Sequence, residues 1–164
     1  MIEPCSHSEA ASCTLPSSRQ VGILLDQAEN LCDRRNLRFT KLRKQVLELV
    51  CRAEQPVGAY QLLDELRDSG RSAAPPTVYR ALDFLLEQGL IHRLATNNTY
   101  LACAHPLHPH AAVFLVCSRC GHTQEVHTGG VIAELEHQAE PFNFEISHAS
   151  VEVTGLCAQC RKTG

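Results

Sequence analysis

The sequence predicts an α+β protein: an amino-terminal winged helix-turn-helix, typical of DNA-binding domains, followed by a small α/β domain with a structural zinc site. Three observations predict this class. Amphipathic helical segments fill the first half of the chain, a candidate β-hairpin follows them, and two Cys-x-x-Cys motifs lie in the second half. The chain, at 164 residues, is long enough for two small domains. We predict a flexible tail, a winged-helix domain, a link and a metal-binding domain over residues 1–18, 19–103, 104–110 and 111–164.

Three amphipathic helices are expected before residue 70. In the first, Leu24, Ala28 and Leu31 recur at helical spacing. The second begins at Thr40, which is a favourable N-cap, and the third runs over residues 59–68. Each helix carries its apolar residues on one face, so we expect the helices to pack together.

A fourth helix carries the candidate DNA-reading surface. Two consecutive prolines fit its first turn, where backbone N–H groups have no helical partner. Residues 77–88 continue it with an apolar stripe, and Gly89 fits its C-cap. Arg80 lies opposite that stripe, with Thr77 and Phe84 nearby. This face is therefore expected to be free to enter a major groove.

The rest of the chain is predicted to be mostly β-structure. A hairpin, the wing of the first domain, is predicted from residues 90–94 and 99–103, which flank a polar turn. A link rich in proline and histidine follows. Beyond it we expect two strands, a helix and one long alternating strand, over residues 111–116, 122–127, 130–140 and 142–153.

Composition and charge narrow the class of protein. The chain is 44% hydrophobic and 20% charged, and it has neither an apolar run long enough to span a membrane nor a secretory signal, so we expect a cytoplasmic protein. The net charge of −3 does not by itself indicate a nucleic-acid partner. The cations are concentrated between Arg34 and Lys44, a stretch without a carboxylate that is either a DNA-facing surface or an ordinary solvated face.

Four of the nine cysteines form two Cys-x-x-Cys pairs, Cys117 with Cys120 and Cys157 with Cys160. Four thiolates complete the tetrahedral coordination of zinc and leave no open position, so this pattern predicts a structural site. A redox pair or core cysteines are the alternatives, but two pairs at matching spacing without a thioredoxin-like pattern favour zinc.

A second group of candidate ligands is of mixed chemistry: His92, Cys103, His110 and Glu125. Nitrogen, sulfur and oxygen ligands together suit zinc, and a thiolate argues against magnesium, calcium or manganese. Each residue alone is more often an ordinary surface or core residue, and spacing does not select His110 over His105 or His108. We interpret this quartet as a candidate sensing site.

Several motifs, in order along the chain, resemble the ferric uptake regulator family. They are Arg38-x-Thr-Lys-x-Arg43, Pro75-Pro-Thr-Val-Tyr-Arg-Ala-Leu-Asp83 with the following Phe84 to Arg93, Cys117-x-x-Cys120-Gly, and Gly155-Leu-Cys157-x-x-Cys160. The resemblance covers roughly residues 28–160. Within the family the chain looks most like the zinc uptake regulator branch, because Cys103 and His110 fall where that branch places sensing ligands.

The resemblance implies a homodimeric repressor that, loaded with zinc, binds an AT-rich inverted repeat in double-stranded DNA and represses zinc-uptake genes. It implies two zinc ions per chain and no small-molecule substrate. The residues that we expect to contact DNA are Tyr60, Thr77, Tyr79 and Arg80 on the reading side, with Lys41 and Arg43 at phosphates.

One position departs from the family's ferric-sensing members. Ala133 stands where those members place a carboxylate that joins a histidine of the last strand, so a third site at His148, with His108 or His105, is only weakly indicated.

Other functions remain open at this point. A relative that senses iron, manganese, nickel or peroxide is the main alternative, although Cys103 argues against iron and peroxide sensing. An enzyme would use the mixed site catalytically, but the His-Glu-x-x-His motif of zinc proteases is absent. A zinc-ribbon protein that binds another protein leaves the basic stretch and Arg80 unexplained.

Overall fold

A computed structural model describes residues 18–70, 73–103, 106, 112–126, 129–147 and 149–162. The chain divides into two compact units, whose described residues lie within 18–106 and 112–162. Of the predicted tail, only Ser18 is described, and of the predicted link, only Pro106. Within the described part of the chain, no helix is long and apolar enough to cross a membrane.

The described residues of the amino-terminal unit form four helices. They are α1 (Ser18–Arg34), α2 (Lys41–Arg52), α3 (Ala59–Asp68) and α4 (Pro75–Glu87). Their buried faces share one apolar core, as the amphipathic patterns predict. Thr40 caps α2, since its side-chain oxygen accepts a hydrogen bond from the backbone N–H of Arg43 at 3.4 Å.

The described part of this unit also contains three short strands: β1 (Val57–Gly58), β2 (Ile91–Leu94) and β3 (Thr99–Ala102). They form an antiparallel sheet in the order β1-β3-β2, with His92 opposite Leu101. The hairpin β2–β3 is the predicted wing, and Asn98 in its turn adopts a left-handed conformation with φ of 56°. The sequence pattern did not predict β1, because two residues are too few to show an alternation.

The carboxyl-terminal unit is a second three-stranded sheet with short helices. Its elements are β4 (Ala112–Cys117), β5 (Thr123–Val126), α5 (Gly129–Ala139), a 3₁₀ turn (Glu140–Phe142), β6 (Ser150–Gly155) and α6 (Ala158–Lys162). Strand β4 lies in the centre, antiparallel to β5 and parallel to β6. This parallel pairing brings the ends of β4 and β6 to the same edge.

The prediction of one strand from Phe142 to Val153 is wrong before Ser150. The chain turns at Asn143, which adopts a left-handed conformation with φ of 50°, and β6 begins only at Ser150. Phe142 and Phe144 are exposed rather than alternating into a core. The alternation of apolar residues in this segment therefore marks an exposed apolar surface, not strand pairing.

Candidate metal centre and nucleic-acid interface

The four cysteines of the two Cys-x-x-Cys pairs lie together at the edge where β4 and β6 end. Cys117 is the last residue of β4 and Cys120 follows in the next turn; Cys157 follows β6 and Cys160 lies in α6. Their four sulfur atoms all lie within 4.8 Å of one another, and those of Cys120 and Cys157 are 3.8 Å apart. Cys117 pairs with Gly155 in the parallel register, which explains why the two pairs meet.

This arrangement fits tetrahedral zinc. Four sulfurs at about 2.3 Å from a central zinc ion lie about 3.8 Å from each other, which agrees with the Cys120–Cys157 distance of 3.8 Å. A cysteine that binds zinc does so as the thiolate. The backbone N–H of Cys157, which donates to the sulfur of Cys117 at 3.4 Å, is the main factor that lowers the pKa of Cys117 to about 6.

The pKa values of the Cys157 and Cys160 thiols are shifted in opposite directions. The backbone N–H of Cys160 donates to the sulfur of Cys157 at 3.5 Å and lowers the pKa of that thiol. Burial raises the pKa of Cys160 to about 12. Four neighbouring thiols do not all ionise unless a cation compensates their charge, and that is what a divalent ion supplies.

The turns that carry the cysteines are braced by contacts that the sequence did not indicate. Ser118 donates its backbone N–H to the carbonyl of Gly155 at 2.8 Å, and the guanidinium of Arg119 donates to the carbonyl of Cys160 at 2.7 Å. Gly121 has a φ of 74°, a conformation that favours glycine. The Cys-x-x-Cys-Gly spacing hints at this last constraint, whereas nothing in the sequence marks Arg119.

The candidate sensing residues are distributed over both units. His92 lies on β2 opposite Leu101, and Cys103 follows β3 with its backbone N–H donating to the carbonyl of Leu90 at 3.0 Å. Because opposite residues of antiparallel strands share a face, His92 and Cys103 lie on the same face of the hairpin. The Nε2 atom of His92 is buried, and Cys103 is only 1% exposed.

The other two candidate ligands are Glu125 and His110. Glu125 lies on β5 and is 4% exposed; it is the single buried charged residue in the part of the chain that the structure describes. His110 lies outside the described residues, as do the histidines of the weakly indicated third site: His105, His108 and His148. In the described ranges, the four-cysteine cluster is the one group of three or more candidate metal ligands that the structure brings together.

The candidate DNA-reading surface is formed by α4 and the start of α3. Thr77 and Arg80 are exposed on α4, and Tyr60 on α3 is 73% exposed. Tyr79 is half-buried and packs against the core, so only part of its ring faces solvent. Lys41, the first residue of α2, is exposed.

The expectation that Phe84 shares the free face of α4 is wrong. Its ring is buried, 7% exposed, and the guanidinium carbon of Arg43 lies 3.5 Å from the ring centroid. Arg43 also donates to the backbone carbonyl of Arg38. A planar guanidinium can stack on an aromatic ring that lies next to a polar helix face and shield it from solvent. Sequence spacing does not reveal which residue supplies that guanidinium.

Comparisons with known proteins identify the family. The sequence profile of the ferric uptake regulator family matches residues 34–154. The zinc uptake regulation protein of Escherichia coli (strain K12) is 43% identical over 138 residues, which are 84% of this chain and 81% of that protein. The zinc uptake regulation protein of Mycobacterium tuberculosis (strain ATCC 25618 / H37Rv) is 33% identical over 129 residues, 76% of this chain and 95% of that protein.

A solved structure agrees. The zinc uptake regulator complexed with zinc and DNA matches this chain with a TM-score of 0.83 at 40% identity, covering 90% of this chain and 98% of that one. The family profile spans most of the sequence, and the resemblance inferred from the motifs is confirmed. The chain belongs to the ferric uptake regulator family, and its resemblance within that family is to zinc uptake regulators.

Proposed function

We propose that this protein is a zinc-responsive transcriptional repressor, which binds an AT-rich inverted repeat as a zinc-loaded homodimer and represses zinc-uptake genes. The observation that carries the proposal is the combination of a four-cysteine cluster with an exposed recognition helix in one chain. Relatives at 43% and 33% identity are zinc uptake regulation proteins. A regulator of this kind acts in the cytoplasm, with the DNA, and has no catalytic residue.

The four-cysteine cluster is proposed as the structural zinc site. It offers four sulfurs and no open position, so it suits a permanent ion rather than one that is gained and lost. A response to zinc then requires a second ion, which gives two per chain. The proposed domain limits are a winged-helix domain over 19–103, a link over 104–110 and a dimerisation and metal-binding domain over 111–164.

His92, Cys103, His110 and Glu125 are the proposed ligands of the second ion. Two observations support the choice: His92 and Cys103 share one face of the hairpin, and Glu125 is a buried carboxylate. Carboxylates are retained in protein interiors where they pair or bind a metal. Zinc binding at this second site would be coupled to operator affinity. A mixed set containing a thiolate favours zinc over iron or manganese.

DNA recognition is assigned to α4 and its surroundings. Arg80 and Thr77 are exposed on the helix that we expect in the major groove. There an arginine can form hydrogen bonds with guanine, and the methyl group of a threonine can contact the methyl group of thymine. Tyr60 and the exposed part of Tyr79 flank that helix. Lys41 supplies a phosphate contact, whereas Arg43, the second cation expected at a phosphate, stacks on the ring of Phe84.

Homodimer formation is assigned to the carboxyl-terminal unit. This small unit exposes Phe142 and Phe144 at 81% and 67%, together with further apolar side chains: Leu115, Val131, Leu135, Val153 and Leu156. So much exposed apolar surface on a small sheet suits burial against a second copy. Two copies related by a two-fold axis present two α4 helices, which matches the symmetry of an inverted repeat.

Operator binding at controlled zinc tests the proposal. We expect retardation of an AT-rich inverted repeat with zinc, and release by a chelator too weak to strip the four-cysteine site. Cys103→Ser is expected to retain one zinc ion per chain and to lose the response, whereas Cys32→Ala, the control at a buried cysteine outside both sites, retains both ions. Equal binding with and without zinc excludes zinc sensing. Retardation that iron, manganese or nickel restores better than zinc favours a different metal.

A further inference from the structure

One row of side chains on α4 joins the DNA-reading surface to the rest of the unit. Thr77, Arg80, Phe84 and Gln88 are spaced three or four residues apart, so they follow one side of the helix. The first two are exposed. Phe84 is buried and Gln88 is half-buried at the C-cap. The row therefore has an open half at the start of the helix and a covered half at its end.

Two arginines from the basic stretch cover the second half of this row. The guanidinium of Arg43 stacks on the ring of Phe84 at 3.5 Å from its centroid, and Arg35 donates to the side-chain oxygen of Gln88 at 2.8 Å. Arg43 also donates to the carbonyl of Arg38, which lies in the turn between α1 and α2. These contacts attach that turn to α4 at Phe84 and Gln88, on the same side of the helix as Arg80.

Most cations of the basic stretch are thus engaged within the protein. Lys44 pairs with Glu29 at 2.6 Å, and Arg34 donates to the carbonyl of Asn30 at 3.3 Å. With Arg35 and Arg43 included, four of the six cations of this stretch contact other residues of the protein. Across the described ranges, the side chains of the remaining two, Arg38 and Lys41, make no hydrogen bond or ion pair. Those two are the cations best placed to reach phosphates.

We propose that Arg43 is a positioning residue of the recognition helix and not a phosphate contact: its guanidinium, stacked on Phe84, sets the rotation and axial position of α4 so that Arg80 meets the base edges. Arg38 and Lys41 then supply the phosphate contacts of this stretch. This inference rests on the proposed DNA-binding function. Planarity is essential to it, because a guanidinium covers a ring and donates at its edge at the same time, whereas an ammonium does not.

A conservative pair of variants separates positioning from charge. Arg43→Lys keeps the charge and loses the planar stack, and Phe84→Leu keeps the apolar volume and loses the ring. We expect each to lower the ratio of operator affinity to random-DNA affinity by about tenfold, with an unchanged salt slope. The double variant is expected to be no worse than either single one. A merely destabilising substitution reduces both affinities alike and leaves the ratio unchanged.

Lys41→Gln is the matched control for a phosphate contact. It is expected to weaken operator and random DNA equally and to reduce the slope of log affinity against log salt by about 0.9. If Arg43→Lys binds like the unsubstituted protein while Arg43→Gln shows this reduced slope, Arg43 is a phosphate contact and the inference is wrong. Effects of Arg43→Lys and Phe84→Leu that multiply in the double variant overturn it equally.

Hydrogen exchange without DNA makes the inference testable apart from the proposed function. We expect amides of residues 84–88 to exchange faster in Arg43→Lys than in the unsubstituted protein, and unchanged in Lys41→Gln. Failure of the unsubstituted protein to bind any DNA would refute the proposed function and leave this exchange result standing. Identical exchange in both variants would refute the positioning role even if DNA binding is confirmed.

Discussion

The backbone N–H of Cys157 donates a hydrogen bond to the sulfur of Cys117 at 3.4 Å, and this contact joins the turn after β6 to the end of β4. It lowers the pKa of the Cys117 thiol to about 6, so that this sulfur is largely ionised at neutral pH. The parallel pairing of the two strands holds donor and acceptor in place. The sheet and the cluster therefore support each other: the strands bring the sulfurs together, and an ion bound there would fasten the strands.

Loss of one cluster ligand is expected to unfold the carboxyl-terminal unit. In Cys160→Ser, three thiolates no longer hold zinc tightly, and among the described residues of this unit few side chains besides those of β4 are buried. Metal analysis should show one ion fewer per chain, and hydrogen exchange should show loss of protection over residues 112–126. The amino-terminal unit, which has its own core, should keep its protection. Full zinc content in Cys160→Ser would contradict the assignment.

Arg80→Ala is expected to weaken operator binding by about 1–3 kcal/mol and to relax the preference at the base pair that it contacts. The physical reason is the loss of a guanidinium that forms hydrogen bonds with base edges, since Arg80 is exposed on α4. Binding to a panel of single-base operator variants measures this effect, and Arg67→Ala, at an exposed arginine of α3, is the control. An equal loss on every sequence would make Arg80 a phosphate contact instead.

Phe144→Glu is expected to dissociate the dimer. Phe144 is 67% exposed within the apolar surface of the carboxyl-terminal unit, and a buried carboxylate in a dimer interface carries a large desolvation penalty. Sedimentation velocity should show an increase of the dimer dissociation constant by about tenfold or more. Ile23→Glu, an equally drastic change at a half-exposed residue of α1, should leave the constant unchanged. A dimer unaffected by Phe144→Glu would place the interface elsewhere.

The thiol of Cys51 should make the amino-terminal unit sensitive to alkaline pH. Burial raises the pKa of this thiol from 9.0 to about 12. The folded state therefore favours the protonated thiol, so its contribution is fully present below pH 9 and is lost as pH rises towards 12. Between pH 7.5 and pH 10.5 the free energy of unfolding should fall by about 2 kcal/mol more in the unsubstituted protein than in Cys51→Ala. Urea unfolding at both pH values measures this difference, and equal losses would contradict it.

Several features of this protein were predictable because they depend on neighbours in the sequence. Helix α3 runs over residues 59–68 as its apolar spacing predicts, and α4 begins at the two prolines and ends before Gly89. The paired Cys-x-x-Cys motifs predict a common cluster because each motif brings two sulfurs into one turn. Family membership followed from the same kind of local motif.

Other features depend on partners distant in the sequence, and these only the tertiary structure decided. Alternating apolar and polar residues after Phe142 are compatible with a strand and with an exposed apolar surface. The pairing of β4 with residues 150–155 alone shows where the strand begins. Helical spacing predicts Phe84 on the free face of α4, whereas in the structure Arg43 covers its ring. A sequence determines the periodicity and ligand chemistry of each element by itself. Which side chain a neighbour buries is determined by packing, because burial is a property of pairs of surfaces and not of single helices.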